Sequence, residues 1–440
     1  MPIIFSKKIS WLVSLCVLAF FLATCAAWMI YSARSEGSSE NQNAGSKQEL
    51  PGDPANSSTE NGKDPDNTAE EIQPIGAQTG SSGPGADAAA DADKELKEQI
   101  GQMLIAGFRG IKIDKNSAIA KQVKDLNLGG VILFDYDNPS KSFPRNITDP
   151  DQTEKLIKDL QSFSSTPLFV SVDAEGGLVN RLKEKYGFAS FPSPEDMGKL
   201  NDLAKTQATG KELGSELKGL GFNLDFAPPA DVNVNPDNPI IGKLGRSFSQ
   251  DPQIVASQAI AFIKGLHENN IITAIKHFPG HGSSQSDSHL GLVDVTKTYQ
   301  QKELIPFETI IGQNQADMVM TAHIINTNID PQYPATLSPL FLQNILRDRL
   351  GFKGVIVSDD MQMGAIAKNY GFEDALIRSI NAGCDLLILS NNNDTYDGNI
   401  AAKARDAIFQ AVKDGKISEE RISGSYDRIT EIKKKFGIIN

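Results

Sequence analysis

A chain of 440 residues, 40% of them apolar, carries enough material to bury one large core or two medium ones. Its 55 acidic residues outnumber its 43 basic ones, for a formal net charge of -12. It lacks the clustered Lys and Arg that a nucleic-acid backbone requires, so nucleic acid is excluded as a partner.

The chain opens with Lys7 and Lys8 and then runs uncharged from Ile9 to Ser32, "ISWLVSLCVLAFFLATCAAWMIYS". Such a run can cross a bilayer, and the positive flank before it keeps the N-terminus in the cytoplasm. It exceeds the apolar core of a cleaved secretory signal, so residues 1–32 read as a signal anchor with the rest of the chain outside. A lipoprotein signal is the alternative, because "LATC" (Leu22 to Cys25) resembles a lipobox with Thr24 where Gly, Ala or Ser is usual. Both readings tether the protein to the outer face of the cytoplasmic membrane, beside the cell wall; simple secretion is the third. Of the three cysteines, Cys16 and Cys25 fall in the apolar run and Cys384 stands alone, which leaves no internal disulfide outside the membrane.

Residues 33–93 contain almost no aromatic or branched apolar side chains. They cannot bury enough surface to offset the entropy of ordering and read as a disordered linker. The folded domain is expected from Lys94 onward, at 94–440.

In that domain eight apolar runs of strand length alternate with stretches of helical period: "QMLIAGF" (102–108), "GGVILF" (129–134), "PLFVSVD" (167–173), "FNLDFAP" (222–228), "ITAIKHF" (272–278), "DMVMTAH" (317–323), "GVIVSDD" (354–360) and "DLLILSN" (385–391). Between them "DPQIVASQAIAFIKGLHEN" places Val255, Ala259, Phe262, Ile263 and Leu266 on one helical face, with Asp251 as its cap. Runs apolar on both sides are the mark of parallel strands covered by helices. Eight such alternations predict an α/β fold of the (β/α)8 TIM-barrel type over a doubly wound sheet.

Asp173, Asp225, Lys276, His277, His323 and Asp359 fall at or near the C-terminal ends of these runs. That is the active-site face of a barrel. A lone Asp there often caps the next helix, but six polar residues from five strands converge on one mouth.

The stretch "KHFPGHGSSQSDSHLGL" (276–292) holds three of the five histidines. A metal site would need His277, His281 and His289 to converge. The first run offers no HxH pair, and His281 lies between glycines, where a loop-structuring hydrogen bond suffices, so no metal is expected. Asp287 and His289 are separated by one Ser, which in an extended loop puts both side chains on one side, close enough for the carboxylate to orient the imidazole for proton transfer. The Gly- and Ser-rich approach would let this loop open and close. A solvated polar loop is the bland alternative.

That stretch, with "VDAEGGLVNRL" (172–182), "GFNLDFAPPADVN" (221–233), "GRSFSQDP" (245–252) and "GVIVSDDMQMGAI" (354–366), resembles the glycoside hydrolase family 3 β-N-acetylhexosaminidases, over about residues 95–440. The resemblance implies a retaining exo-β-N-acetylglucosaminidase without a cofactor, acting on GlcNAc-containing, peptidoglycan-derived glycans, and a monomer is expected. It implies Asp359 as the nucleophile, with Asp360 turned elsewhere, His289 as the acid/base and Asp287 as its partner. Asp173 resembles the family's ligand for sugar hydroxyls, and Arg181, Arg246, Lys276 and His277 the residues that hold the hydroxyls and the N-acetyl group. Leu178 departs from the polar or basic residue common after the paired glycines, which bears on contacts beyond the first sugar. The short stretch after the eighth strand's helix lacks the second domain of the larger β-glucosidases, which fits the hexosaminidase branch. An imidazole in place of a second carboxylate repels an anionic acceptor less, which leaves cleavage by phosphate open as an alternative to hydrolysis. A β-glucosidase or phosphorylase of the same family and a non-catalytic sugar-binding lipoprotein are the rival readings.

Overall fold

The computed structural model describes residues 84–440; the expected membrane anchor at 1–32 lies outside them. Among the described residues no helix is long and apolar enough to cross a membrane. In chain order the strands are β1 (Leu104–Gly107), β2 (Gly130–Ile132), β3 (Phe169–Val172), β4 (Ala174–Gly176), β5 (Val179–Asn180), β6 (Leu224–Asp225), β7 (Ile272–Phe278), β8 (Val293–Asp294), β9 (Met318–Thr321), β10 (Ile324–Ile325), β11 (Val355–Val357) and β12 (Leu387–Leu389).

Each of the eight expected runs supplies one strand of a single parallel sheet, ordered β12-β1-β2-β3-β6-β7-β9-β11. The two ends meet: a parallel bridge joins Val357 to Leu386, with Ser358 N donating to Leu386 O at 2.9 Å and Leu386 N to Ile356 O at 3.1 Å. Closure leaves this eight-stranded sheet without a free edge. Every residue of these eight strands is buried, so the runs are apolar throughout rather than alternating.

The helix Pro252–His267 begins as its sequence predicts. Asp251 accepts the Gln253 amide at 2.8 Å, and Val255, Ala259, Phe262, Ile263 and Leu266 are all buried against the barrel. The first helix, Pro84–Gln102, starts ahead of the expected Lys94, inside the stretch read as linker. Alanine is the strongest helix former, so "ADAAADAD" propagates a helix without an apolar stripe; its residues 88–92 are exposed, and burial begins at Leu96 and Ile100. The helix Glu419–Lys435 closes the lower end. There Lys433 Nζ donates to Gln102 Oε1 at 2.8 Å, Gly129 O at 3.2 Å and Pro167 O at 2.8 Å, and burial pulls its ammonium down to about 7.

Candidate active site

A cavity of about 440 Å3 opens at the C-terminal ends of the strands. Asp173, Lys276, His277 and Asp359 line it from strand ends, and Arg181, Arg246, Asp287 and His289 line it from loops. Two strand-end residues do not. Asp225 is buried beneath the site, accepts the Ala174 amide at 3.0 Å and is pushed well above the usual carboxylate range by burial. His323 is also fully buried.

Asp359 follows β11 and keeps its carboxylate nearly unengaged: Oδ1 accepts only the Asp360 amide, at 2.7 Å. Burial would raise this carboxyl, but the imidazoles of His323, His277 and His289 outweigh it and hold the group below its ordinary value. It is therefore held in its ionised form. Asp360 turns away, as expected, and accepts from the Ser390 amide at 3.0 Å, the Ser390 hydroxyl and Asn393 Nδ2.

Asp287 and His289 do meet, by a different geometry from an extended loop. A tight turn, with Leu290 N donating to Asp287 O at 3.1 Å, lets Asp287 Oδ1 accept both the His289 amide at 2.8 Å and its ring Nδ1 at 2.7 Å. An ionised carboxylate only accepts, so Nδ1 carries the proton and Nε2 faces away from the pair. Burial lowers the imidazole, yet the Asp287 hydrogen bond and the Asp359 charge more than offset it and raise His289 above its ordinary value. The side chain is 55% exposed. Gly364 N and Ala365 N donate to the carbonyls of His289 and Ser288, both at 3.1 Å, and a Cβ on Gly364 would stand 2.6 Å from the His289 carbonyl.

The approach to this turn is pinned rather than loose. His281, Ser283 and Ser284 are buried, and Ser283 N donates to the fully buried Glu303 at 3.0 Å. Gly282 serves close approach, because a Cβ there would meet the Val232 carbonyl at 1.7 Å. His281 plays the loop-structuring role its neighbours suggested, with Nδ1 2.6 Å from Ser284 Oγ and Nε2 3.3 Å from Ser288 Oγ.

At the other wall, Lys276 Nζ donates to Asp173 at 2.8 Å and lies 2.6 Å from Glu175 Oε1. Arg181 Nη2 reaches Asp173 at 3.4 Å. Arg246 clamps Glu175, Nε to Oε2 at 2.8 Å and Nη2 to Oε1 at 2.7 Å, and its Nη2 lies 3.2 Å from His277 Nε2. His277 Nδ1 is held by Asp231 at 2.7 Å. Burial disfavours the charges of Asp173 and Glu175, but Lys276 with Arg181 for the first, and Arg246 with Lys276 for the second, keep both well ionised.

Residues 95–432 match the model of the glycosyl hydrolase family 3 N-terminal domain. The chain belongs to glycosyl hydrolase family 3. It is 33% identical over 341 residues to beta-hexosaminidase A of Pseudoalteromonas piscicida, covering 72% of this chain and 55% of that protein. It is 37% identical over 270 residues to the beta-hexosaminidase of Tolumonas auensis, covering 60% and 76%. Among solved structures it superposes on a family 3 beta-N-acetylglucosaminidase from a Paenibacillus species with TM-score 0.71 and 34% identity, over 78% of this chain and 63% of that one. The chain thus spans little more than half of the P. piscicida protein and under two thirds of the Paenibacillus one.

Two acidic residues of this family 3 site escaped the sequence reading. Glu175 lies two positions past Asp173, a same-side spacing that could have flagged it. Asp231 sits in "PPADVN" and gives no such signal; it gains its role by accepting His277 Nδ1 and the His281 amide, the latter at 2.7 Å. Leu178, at the hairpin between β4 and β5, is 70% exposed at the mouth.

Proposed function

We propose that this family 3 chain is a retaining exo-β-N-acetylglucosaminidase that removes terminal GlcNAc from peptidoglycan-derived glycans. The observation that carries the reading is that ionised Asp359 and the Asp287-oriented imidazole of His289 open into one cavity. In the first step an Asp359 oxygen bonds to the anomeric carbon, the glycosidic bond breaks, and Nε2–H gives its proton to the departing oxygen. In the second step Nε2 takes a proton from water, whose oxygen bonds to the anomeric carbon and releases the Asp359 carboxylate. Two inversions leave the β configuration.

Asp173, Lys276 and Arg181 present charged partners for hydroxyls of the non-reducing sugar, and Arg246 and His277 complete the wall. The N-acetyl preference rests on what the relatives are called. We place the enzyme at the outer face of the cytoplasmic membrane, on the strength of Lys7, Lys8 and the apolar run at 9–32. Release of aryl alcohol from aryl β-GlcNAc and aryl β-glucoside, with and without phosphate, tests activity, sugar and acceptor together. Faster turnover of the glucoside, or a sugar-phosphate product, would replace this reading by one of its rivals.

A further inference from the structure

His323, one of the five histidines, has no part in the steps above, yet the structure builds a closed polar circuit around it. Its Nε2 lies 2.9 Å from the Asp360 carbonyl and its Nδ1 lies 2.8 Å from Thr336 Oγ1. Thr336 Oγ1 also stands 2.8 Å from Thr321 Oγ1 and 3.0 Å from Ala322 O. Thr321 Oγ1 in turn receives the Asp359 amide at 3.4 Å. The circuit starts at the backbone of the nucleophile and returns to the carbonyl of the next residue. His323, Thr321 and Thr336 are fully buried, and none of them lines the cavity.

We infer that His323 is a positioning residue for the Asp359 nucleophile, acting through Thr336, Thr321 and the Asp360 carbonyl; this rests on the reading of Asp359 given above. A carbonyl only accepts, so Nε2 carries a proton in every state of the ring. When Nδ1 is bare, the Thr336 hydroxyl donates to it. When Nδ1 is protonated, it donates to Thr336, and the hydroxyl proton of Thr336 turns to Ala322 O. Rotation of one hydroxyl accommodates the extra proton, and no heavy atom needs to move. The cage therefore admits an imidazolium beside a carboxylate that must stay charged to attack.

The groups facing Asp359 are His323 from the end of β9, His277 from β7, His281 and His289 from the segment after β7, and Asp360 beside it. Of the charges that keep Asp359 low, His323 is the foremost. His323 itself faces Asp359, Asp360 and His289, and burial lowers it, so its charge arrives on the acid side, where protonation of the nucleophile would stop the reaction.

The test is the pH profile of kcat/KM on aryl β-GlcNAc for the full chain, His323→Asn and Thr336→Val, with Asp359→Ala alongside. Thr336→Val keeps the shape of the core and severs the circuit, so it serves if His323→Asn does not fold. In each folded variant the acid limb should move up by roughly half a pH unit or more, the basic limb should stay, and kcat should fall roughly tenfold with KM within about twofold. A packing role alone would lower the melting temperature and scale the whole profile without moving one limb. With Asp359→Ala inactive, an acid limb unmoved in both variants overturns the positioning role and leaves the nucleophile standing. Activity retained by Asp359→Ala overturns both.

Discussion

Arg246 holds Glu175 through two parallel hydrogen bonds, and the pair is almost sealed, with 10% of the arginine side chain and none of the glutamate exposed. Arg246 therefore acts on the pocket wall largely through other side chains: Glu175 also holds Lys276 Nζ, and the same guanidinium borders His277.

Arg246→Lys should consequently behave as a severe change, because an ammonium cannot reproduce the planar two-point contact. Arg246→Ala would leave the Glu175 carboxylate buried with Lys276 as its one remaining ion-pair partner, a loss of about 3 kcal/mol by analogy with broken buried pairs. Urea unfolding reads the stability change, and KM for aryl β-GlcNAc should rise as Lys276 shifts toward Glu175. A variant with parental stability and KM would show that Glu175 does not need this partner.

Asp359→Ala should abolish turnover by several orders of magnitude and leave the fold intact. The half-buried carboxylate accepts one local amide and braces nothing distant, so removing it costs the structure little. Activity within about tenfold of the parent, in a folded and uncontaminated sample, would mean that another group attacks.

The barrel was legible because each parallel strand is buried on both sides and so reads as an unbroken apolar run; β7, from Ile272 to Phe278, is the clearest. The start of the first helix was not, because alanine and aspartate at 86–93 carry helical propensity without an apolar stripe. That Asp359, Asp287 and His289 share one cavity was legible from motifs that are contiguous in sequence. Glu175 and Asp231 were not, since each is defined by a partner 71 or 46 positions away, Arg246 and His277, that only the closed barrel brings near. The loop before Asp287 misled in a related way: its glycines read as freedom, whereas Gly282 is needed to pass the Val232 carbonyl.

His281 predicts a pH effect on stability. Burial pulls its ring down to about 4 from an ordinary 6.5, so between those values the unfolded chain binds more protons than the folded one. Its contribution is fully present above 6.5 and is lost as the pH falls toward 4, to a limit of about 3 kcal/mol. His281→Gln should flatten the fall in unfolding free energy between about pH 7 and about pH 4.5. Equal slopes for parent and variant would remove His281 as the cause.

Chelation should not affect activity. Both ring nitrogens of His281 and of His323 are taken by hydroxyls or a carbonyl, His277 is held by Asp231 on one side and faces a guanidinium on the other. That leaves Nε2 of His289 open to an ion, and among the described residues no three His, Cys, Asp or Glu side chains are grouped to hold one. Prolonged EDTA treatment followed by assay is the check, and loss restored by Zn2+ would require a different account of these histidines.

The acid/base pair and the nucleophile should separate by leaving group. If His289 protonates the departing oxygen, His289→Ala should slow a sugar leaving group, whose pKa is high, far more than an activated aryl group that departs with little proton assistance. Asp287→Ala should show the same pattern more weakly and should also move the basic limb of kcat/KM downward. The sign follows from the dyad: the Asp287 hydrogen bond raises the His289 imidazole, so its loss lets the acid form disappear at lower pH. Asp359→Ala should harm both substrate classes alike, because both need the same attack at the anomeric carbon. Rates of the three variants across leaving groups of graded pKa decide the matter, and equal slowing of aryl and sugar substrates by His289→Ala would take the proton transfer away from this residue.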